Sequence, residues 1–205
     1  MHNRSKLVLA GLAAAMLLSL GVSSASARNL SLSEQGSRIV WTPLEFIAGG
    51  RTVRCNVTLD SRFHYRTIVK REGALVGFVN NATVNTCVGG SATVLSSTLP
   101  WHITYNGFSG TLPNITAIRL NQIGTSFNIR PDGTIACLAR STAENPAKGI
   151  AEIGAGGAIT GLRADETVTI PLEGFFCSFA GEGAFRGRGV VTAAVGGGSV
   201  FVRLI

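Results

Sequence analysis

Alternation of apolar and polar residues at a period of two is the feature that most restricts this chain. Val53, Cys55, Val57 and Leu59 share one parity, while Thr52, Arg54, Asn56 and Thr58 share the other. That is the pattern of a strand buried on one face. It returns at Val168, Ile170 and Leu172 against Thr167 and Thr169, and again at Val200, Val202 and Leu204. Turn signals separate such runs: Gly49-Gly50, Asn80-Asn81, Gly89-Gly90 and Gly196-Gly197-Gly198. The stretch Ile129 to Ile135 reads as a hairpin, with Pro131 presetting the first turn position, Asp132 closing an Asx turn and Gly133 taking a positive φ. Ile39 and Trp41 share a parity that Leu44 and Phe46 reverse across Pro43, so a bulge or a sheet edge is expected there. Helical spacing is scarce. Only Ser141 to Ile150 invites a helix, and Pro146 with Gly149 favours a loop instead. The pattern predicts an all-β fold, an antiparallel β-sandwich with a β-barrel as the alternative.

The first residues follow a different rule. A basic start with Arg4 and Lys6, an apolar run from Leu7 to Leu20 and an Ala25-Ser26-Ala27 end match a secretory signal peptide, with cleavage expected after Ala27. The run is too short to span a bilayer comfortably, and no later segment reaches the length of a transmembrane helix. The mature chain is therefore expected to be secreted, without a transmembrane segment. Residues 28–36 are expected as a loose lead-in and residues 37–205 as one β-sandwich domain. Charged residues make up only 14% of the chain and hydrophobic ones 45%, which excludes a disordered protein.

Export decides how the four cysteines are read. Cys55, Cys87, Cys137 and Cys177 lie far apart with no Cys-x-x-Cys pair, unlike the ligands of a zinc site. An even count in an oxidising compartment points to disulfides. Of the three possible connectivities, Cys55–Cys87 with Cys137–Cys177 keeps each bridge within its own half of the chain. Each would constrain the unfolded state by roughly 4 kcal/mol in the chain-entropy model. No metal and no cofactor is expected.

Charge is unevenly placed. Without Arg4 and Lys6 of the leader the formal charge falls from +7 to +5. Arg51, Arg54, Arg62, Arg66, Lys70 and Arg71 against the single acid Asp60 account for that whole excess within one stretch. Arg54, Arg62, His64, Arg66 and Lys70 are all even-numbered, whereas Val53, Cys55, Val57, Leu59, Phe63 and Tyr65 are odd. An extended run would place the basic groups on one sheet face, as a strip for an anionic partner such as a cell-wall polymer or an acidic polysaccharide. The plainer reading is a solvated face that protects an edge strand from aggregation. Specific nucleic-acid binding is not expected, because the parity of Phe63 and Tyr65 puts any stacking platform on the opposite face.

Other chemistry is thinner. Trp101, Ile103 and Tyr105 share a parity suited to a core face, although aromatic residues from Trp101 to Phe108 could also stack on sugar rings, with His102 and Asn106 orienting them. A secreted hydrolase acting on glycans or peptides is the alternative function. It would need a serine such as Ser109 within reach of His64 or His102, or two carboxylates across a cleft, and among 11 acids no pair stands out.

The Ala-rich leader, Leu99-Pro-Trp-His-Ile-Thr-Tyr-Asn106 and Gly110-Thr-Leu-Pro-Asn-Ile-Thr116 together resemble a group of uncharacterised exported proteins of high-GC Gram-positive bacteria, the actinobacterial type. The resemblance spans most of the mature chain. It implies an exported all-β protein and assigns no catalytic residue. The expected function is thus a secreted, non-enzymatic β-domain with a binding or structural role at the cell surface.

Overall fold

A computed structural model describes residues 29–165, 167, 169–174, 177 and 181–205. The expected leader, Arg28 and Val168 lie outside the described residues. The fold is all-β and antiparallel throughout. Four long strands make its backbone: β2 (Gly36–Ala48), β3 (Arg51–Phe63), β5 (Leu75–Val88) and β14 (Gly181–Ala193), in the order β5-β3-β2-β14. Alternation in β3 is as the sequence predicts, with Val53, Cys55 and Val57 fully buried and Leu59 nearly so.

The second layer comes in two parts. Strands β7 (Trp101–Thr111), β8 (Asn114–Ile123), β11 (Ala147–Ile153) and β12 (Ile159–Ala164) follow β5 in the order β7-β8-β11-β12. β12 then pairs with β14 through Leu162↔Gly189 and Arg163↔Arg188, so that eight strands close into a ring. Strands β13 (Ile170–Glu173), β10 (Cys137–Arg140), β9 (Ser126–Pro131) and β6 (Gly90–Val94) branch from the other end of β14, where Leu172 meets Gly181. The sandwich and the barrel expected as alternatives therefore occur in one molecule, a ring over one half of the long strands and an open second layer over the other.

Two irregularities mark the junction. β2 shifts register between Trp41 and Leu44 toward β3 and between Trp41 and Glu45 toward β14, which makes Pro43 a bulge within a central strand rather than an edge. β14 shifts at the same level, between Arg186 and Gly189. Gly187 there has φ +148°, and a Cβ on it would lie 2.9 Å from the Pro43 carbonyl oxygen. The strand can change partner at this point because glycine tolerates both the conformation and the close approach.

The branch layer packs inward. Phe127 on β9 meets Phe46, Phe185 and Trp101 edge-on, with ring centroids 5.1 to 5.7 Å apart, a geometry favoured by the ring quadrupoles. The β9–β10 hairpin forms as expected, with one adjustment. The turn bond runs from Thr134 N–H to the Pro131 carbonyl, so Pro131 ends the strand and Asp132-Gly133 occupy the turn centre. Both expected disulfides are present, and Cys55–Cys87 links directly paired residues of β3 and β5.

Within the segment expected as a loose lead-in, the described residues from Asn29 to Leu32 are held in a sheet. Asn29–Leu32 is strand β1, held between β15 (Val202–Leu204) and β4 (Thr67–Val69) in a separate three-stranded sheet. Leu30 and Leu32 are buried in the common core, and their burial is the physical reason the segment is fixed. Among the described residues no helix is long and apolar enough to cross a membrane.

Candidate functional site

The cationic stretch supplies the first test of a surface site. Arg54 and Arg62 stand on the outer face of β3, as the alternation requires. β3 is paired on both sides, by β2 and β5, so edge protection does not explain its arginines. Beyond Phe63 the strip breaks. The chain bends at His64–Arg66, pinned by Gln35 Nε2 donating to the carbonyl of His64 at 3.0 Å. It resumes as β4 with the parity reversed, since Ile68 is buried. Arg54, Arg62, His64, Arg66 and Lys70 are therefore not one strip. The physical reason is the end of the strand, which resets which parity faces outward.

Partners from elsewhere also temper these charges. Glu45 accepts from Arg54 at 2.7 Å. Glu34 lies 3.8 Å from Arg66. Arg38 donates to Asp60 at 2.7 Å and Asn81 donates to its other oxygen at 3.1 Å. The hydrogen bond from Arg38 holds the Asp60 carboxyl below its ordinary value, with partial burial acting in the opposite sense and Asn81 assisting. The Lys70 ammonium sits 5.6 Å from the centre of the Phe108 ring. Arg62 makes no ion pair with another described residue.

What the strand register assembles instead is a band of arginines around the outside of the ring. Arg119 on β8 pairs with Ile150 on β11, Ile150 with Arg163 on β12, and Arg163 with Arg188 on β14. Two residues back along β14, Arg186 pairs with Glu45 on β2, which pairs with Arg54 on β3. Directly paired residues share a face, with Cβ atoms about 5 Å apart. Arginines facing each other in this way repel, and two glutamates relieve the repulsion in the same manner. Glu152 receives Arg188 at 2.7 Å on one oxygen and approaches Arg163 at 3.8 Å with the other. Glu45 receives Arg54 at 2.7 Å on one oxygen and approaches Arg186 at 4.0 Å with the other. Among the described residues of the band, five arginines outnumber two glutamates.

Arg119, Arg163, Arg186 and Arg188 were not singled out from the sequence. Arg186 and Arg188 alternate with Phe185 and Gly187 in a local signal that could have found them. Arg119 and Arg163 join them only through pairings far apart in the chain, which no local pattern encodes.

The remaining candidates separate cleanly. Trp101, Ile103 and Tyr105 are buried, so they form core and offer no platform for a sugar. His64 and His102 both adjoin Phe78, the first with ring centroids 5.5 Å apart and the second as its cross-strand partner on β7. Among the described residues neither imidazole makes a side-chain hydrogen bond, and the Ser109 hydroxyl instead accepts from Arg119 at 2.9 Å. Glu45 and Asp60 are both occupied by arginines. Among the described residues no three His, Cys, Asp or Glu side chains gather as a metal site. Compared with protein-family models, curated proteins and solved structures, the chain matches none of them.

Proposed function

We propose that the protein is an exported, non-enzymatic binding domain whose outer arginine band holds an anionic partner, a phosphate-bearing wall polymer or an acidic polysaccharide. The observation that carries this reading is the cross-strand row from Arg119 through Arg163 and Arg188 to Arg186 and Arg54. Arginine presents a planar fork of donors matched to phosphate and carboxylate oxygens. A row at strand spacing offers repeated contacts to a polymer rather than one pocket for a monomer. The leader pattern, the paired cysteines and the absence of a membrane-crossing helix among the described residues support export. The outward positions of the ring are rich in arginine, threonine and asparagine. That is the inverse of the apolar band that lipid requires of a membrane barrel.

Retention on immobilised poly(glycerol phosphate) and on polygalacturonate, measured across a salt series, tests the proposal. Binding should weaken steadily as salt rises. Replacing Arg119, Arg163, Arg186 and Arg188 together by Gln should weaken it by roughly two orders of magnitude, at about 0.5–1 kcal/mol for each exposed contact. Replacing Arg66 and Lys70 should change it little. Retention that ignores salt, or that survives the fourfold change, overturns the reading.

A further inference from the structure

The ring of eight strands is not filled solid. Its interior holds two adjoining, partly open voids of about 70 and 50 Å³ that share the walls of Leu59, Gln122, Gly149 and Leu162. Every strand of the ring contributes to the larger void, mostly with aliphatic side chains such as Leu59, Ile103, Leu120 and Val191. Its two serines are satisfied by each other, Ser37 Oγ and Ser61 Oγ lying 2.8 Å apart.

The smaller void is different. Trp41, Phe127 and Phe185 give it aromatic walls, and Thr125 and Gln122 reach it from β8 and the turn that follows. Trp41 Nε1, Gln122 Nε2 and Thr125 Oγ1 all lack a hydrogen-bond partner within the protein. Trp41 and Thr125 are only 4% and 3% exposed. The first two of these groups are donors by nature, and the hydroxyl can donate as well. A buried polar group without a partner costs about 1–3 kcal/mol. Three of them bordering one apolar space form a site complementary to an acceptor oxygen on an otherwise apolar molecule.

Size limits the occupant. Each void alone has room for a few waters. Joined by rotation of Gln122 and Leu162 they approach the roughly 150 Å³ that admits benzene in an engineered apolar cavity. We infer that the interior of the ring binds a small neutral organic molecule of about seven non-hydrogen atoms. Its apolar body fills the larger void, and a single carbonyl oxygen accepts hydrogen bonds from Trp41 and Gln122. Neutrality follows from the cost of burying a charge where the lining brings no buried ion to meet it. Lys148 and Arg163 also border the smaller void, but neither is buried, and Arg163 directs its guanidinium to Glu152 on the outer face. The site lies inside the ring and does not depend on the arginine band.

Cyclohexanone is a suitable probe, with methylcyclohexane as the same shape without an acceptor and cyclohexanecarboxylate as the charged counterpart. Titration of the disulfide-intact protein, followed by the indole N–H resonance of Trp41 and by Tm, should show saturable binding of cyclohexanone. Its affinity should exceed that of methylcyclohexane at least fivefold. Ala151→Leu, which fills the larger void, should abolish binding. Gln122→Leu, nearly equal in volume, should erase the preference for cyclohexanone while leaving methylcyclohexane unchanged, and it serves where the larger substitution prevents folding. Three results overturn the inference: no saturation, equal affinity for the two neutral probes, or tighter binding of the carboxylate. Saturation would be missing if the voids hold water only.

Discussion

Single side chains in this fold show whether a polar group adds to stability or subtracts from it. The Tyr105 hydroxyl is buried without a partner in the protein, and that burial pushes its ionisation up. Tyr105→Phe removes a group that gains nothing by being inside. Chemical denaturation should therefore find the variant as stable as the parent or up to about 1 kcal/mol more stable. Asp60 is the opposite case, since Arg38 depresses its ionisation in the folded state. A depressed carboxyl contributes stability that is present above the unfolded value near 3.8 and is lost as pH falls through the folded one. Stability measured from pH 6 down to pH 2 should thus decline less steeply below pH 4 in Asp60→Asn than in the parent. The roles of both residues follow from their surroundings. The sequence announced the parity of Tyr105 and the charge of Asp60, but Arg38, twenty-two positions away, became a partner only through strand register.

Among the elements, legibility depended on whether a property was local. Alternation located β3 and the irregularity at Pro43 in β2, and turn residues located the β9–β10 hairpin, because each is a statement about neighbouring residues. The basic strip failed at Arg66 and Lys70 because a bend of three residues resets parity, and no composition signals how many residues a bend will take. β1 was missed for a related reason. Asn29–Leu32 alternates but is too short to stand out, and the partners that bury it lie near positions 68 and 203. Leu30→Ala is informative here. A loose lead-in would tolerate it, whereas a fully buried side chain in β1 should lose about 2–5 kcal/mol, visible as a lower denaturation midpoint with an unchanged slope. Gly187→Ala should cost about 1–3 kcal/mol, because the alanine would strain the backbone and crowd Pro43 where β14 changes partner. In contrast to a simple core defect, it should also disturb the indole N–H of Trp41, which packs beside Gly187.

At the scale of the molecule, one long strand carries two architectures, and the pairings that define both of them join segments distant in sequence. The closure Arg163↔Arg188 and the branch Leu172↔Gly181 both depend on β14, which arrives late in the chain. Such topology folds slowly, because loop closure precedes most of the contacts that reward it. Refolding with the disulfides intact should take milliseconds to seconds or longer, and reduction should both destabilise the protein and slow its recovery. The β-class and its antiparallel character were open to reading, as were both disulfides, since they rest on composition, period and spacing. Ring closure, the arginine band and the interior voids were not, since each exists only once eight strands have found their register. The pairing of β1 with β15 carries a last consequence. Asn29 and Ile205 exchange backbone hydrogen bonds at 3.2 and 3.1 Å, which carries the register one pair beyond Leu30↔Leu204. Synthesis runs from β1 toward β15, so this small sheet stays incomplete until the other described strands have been made.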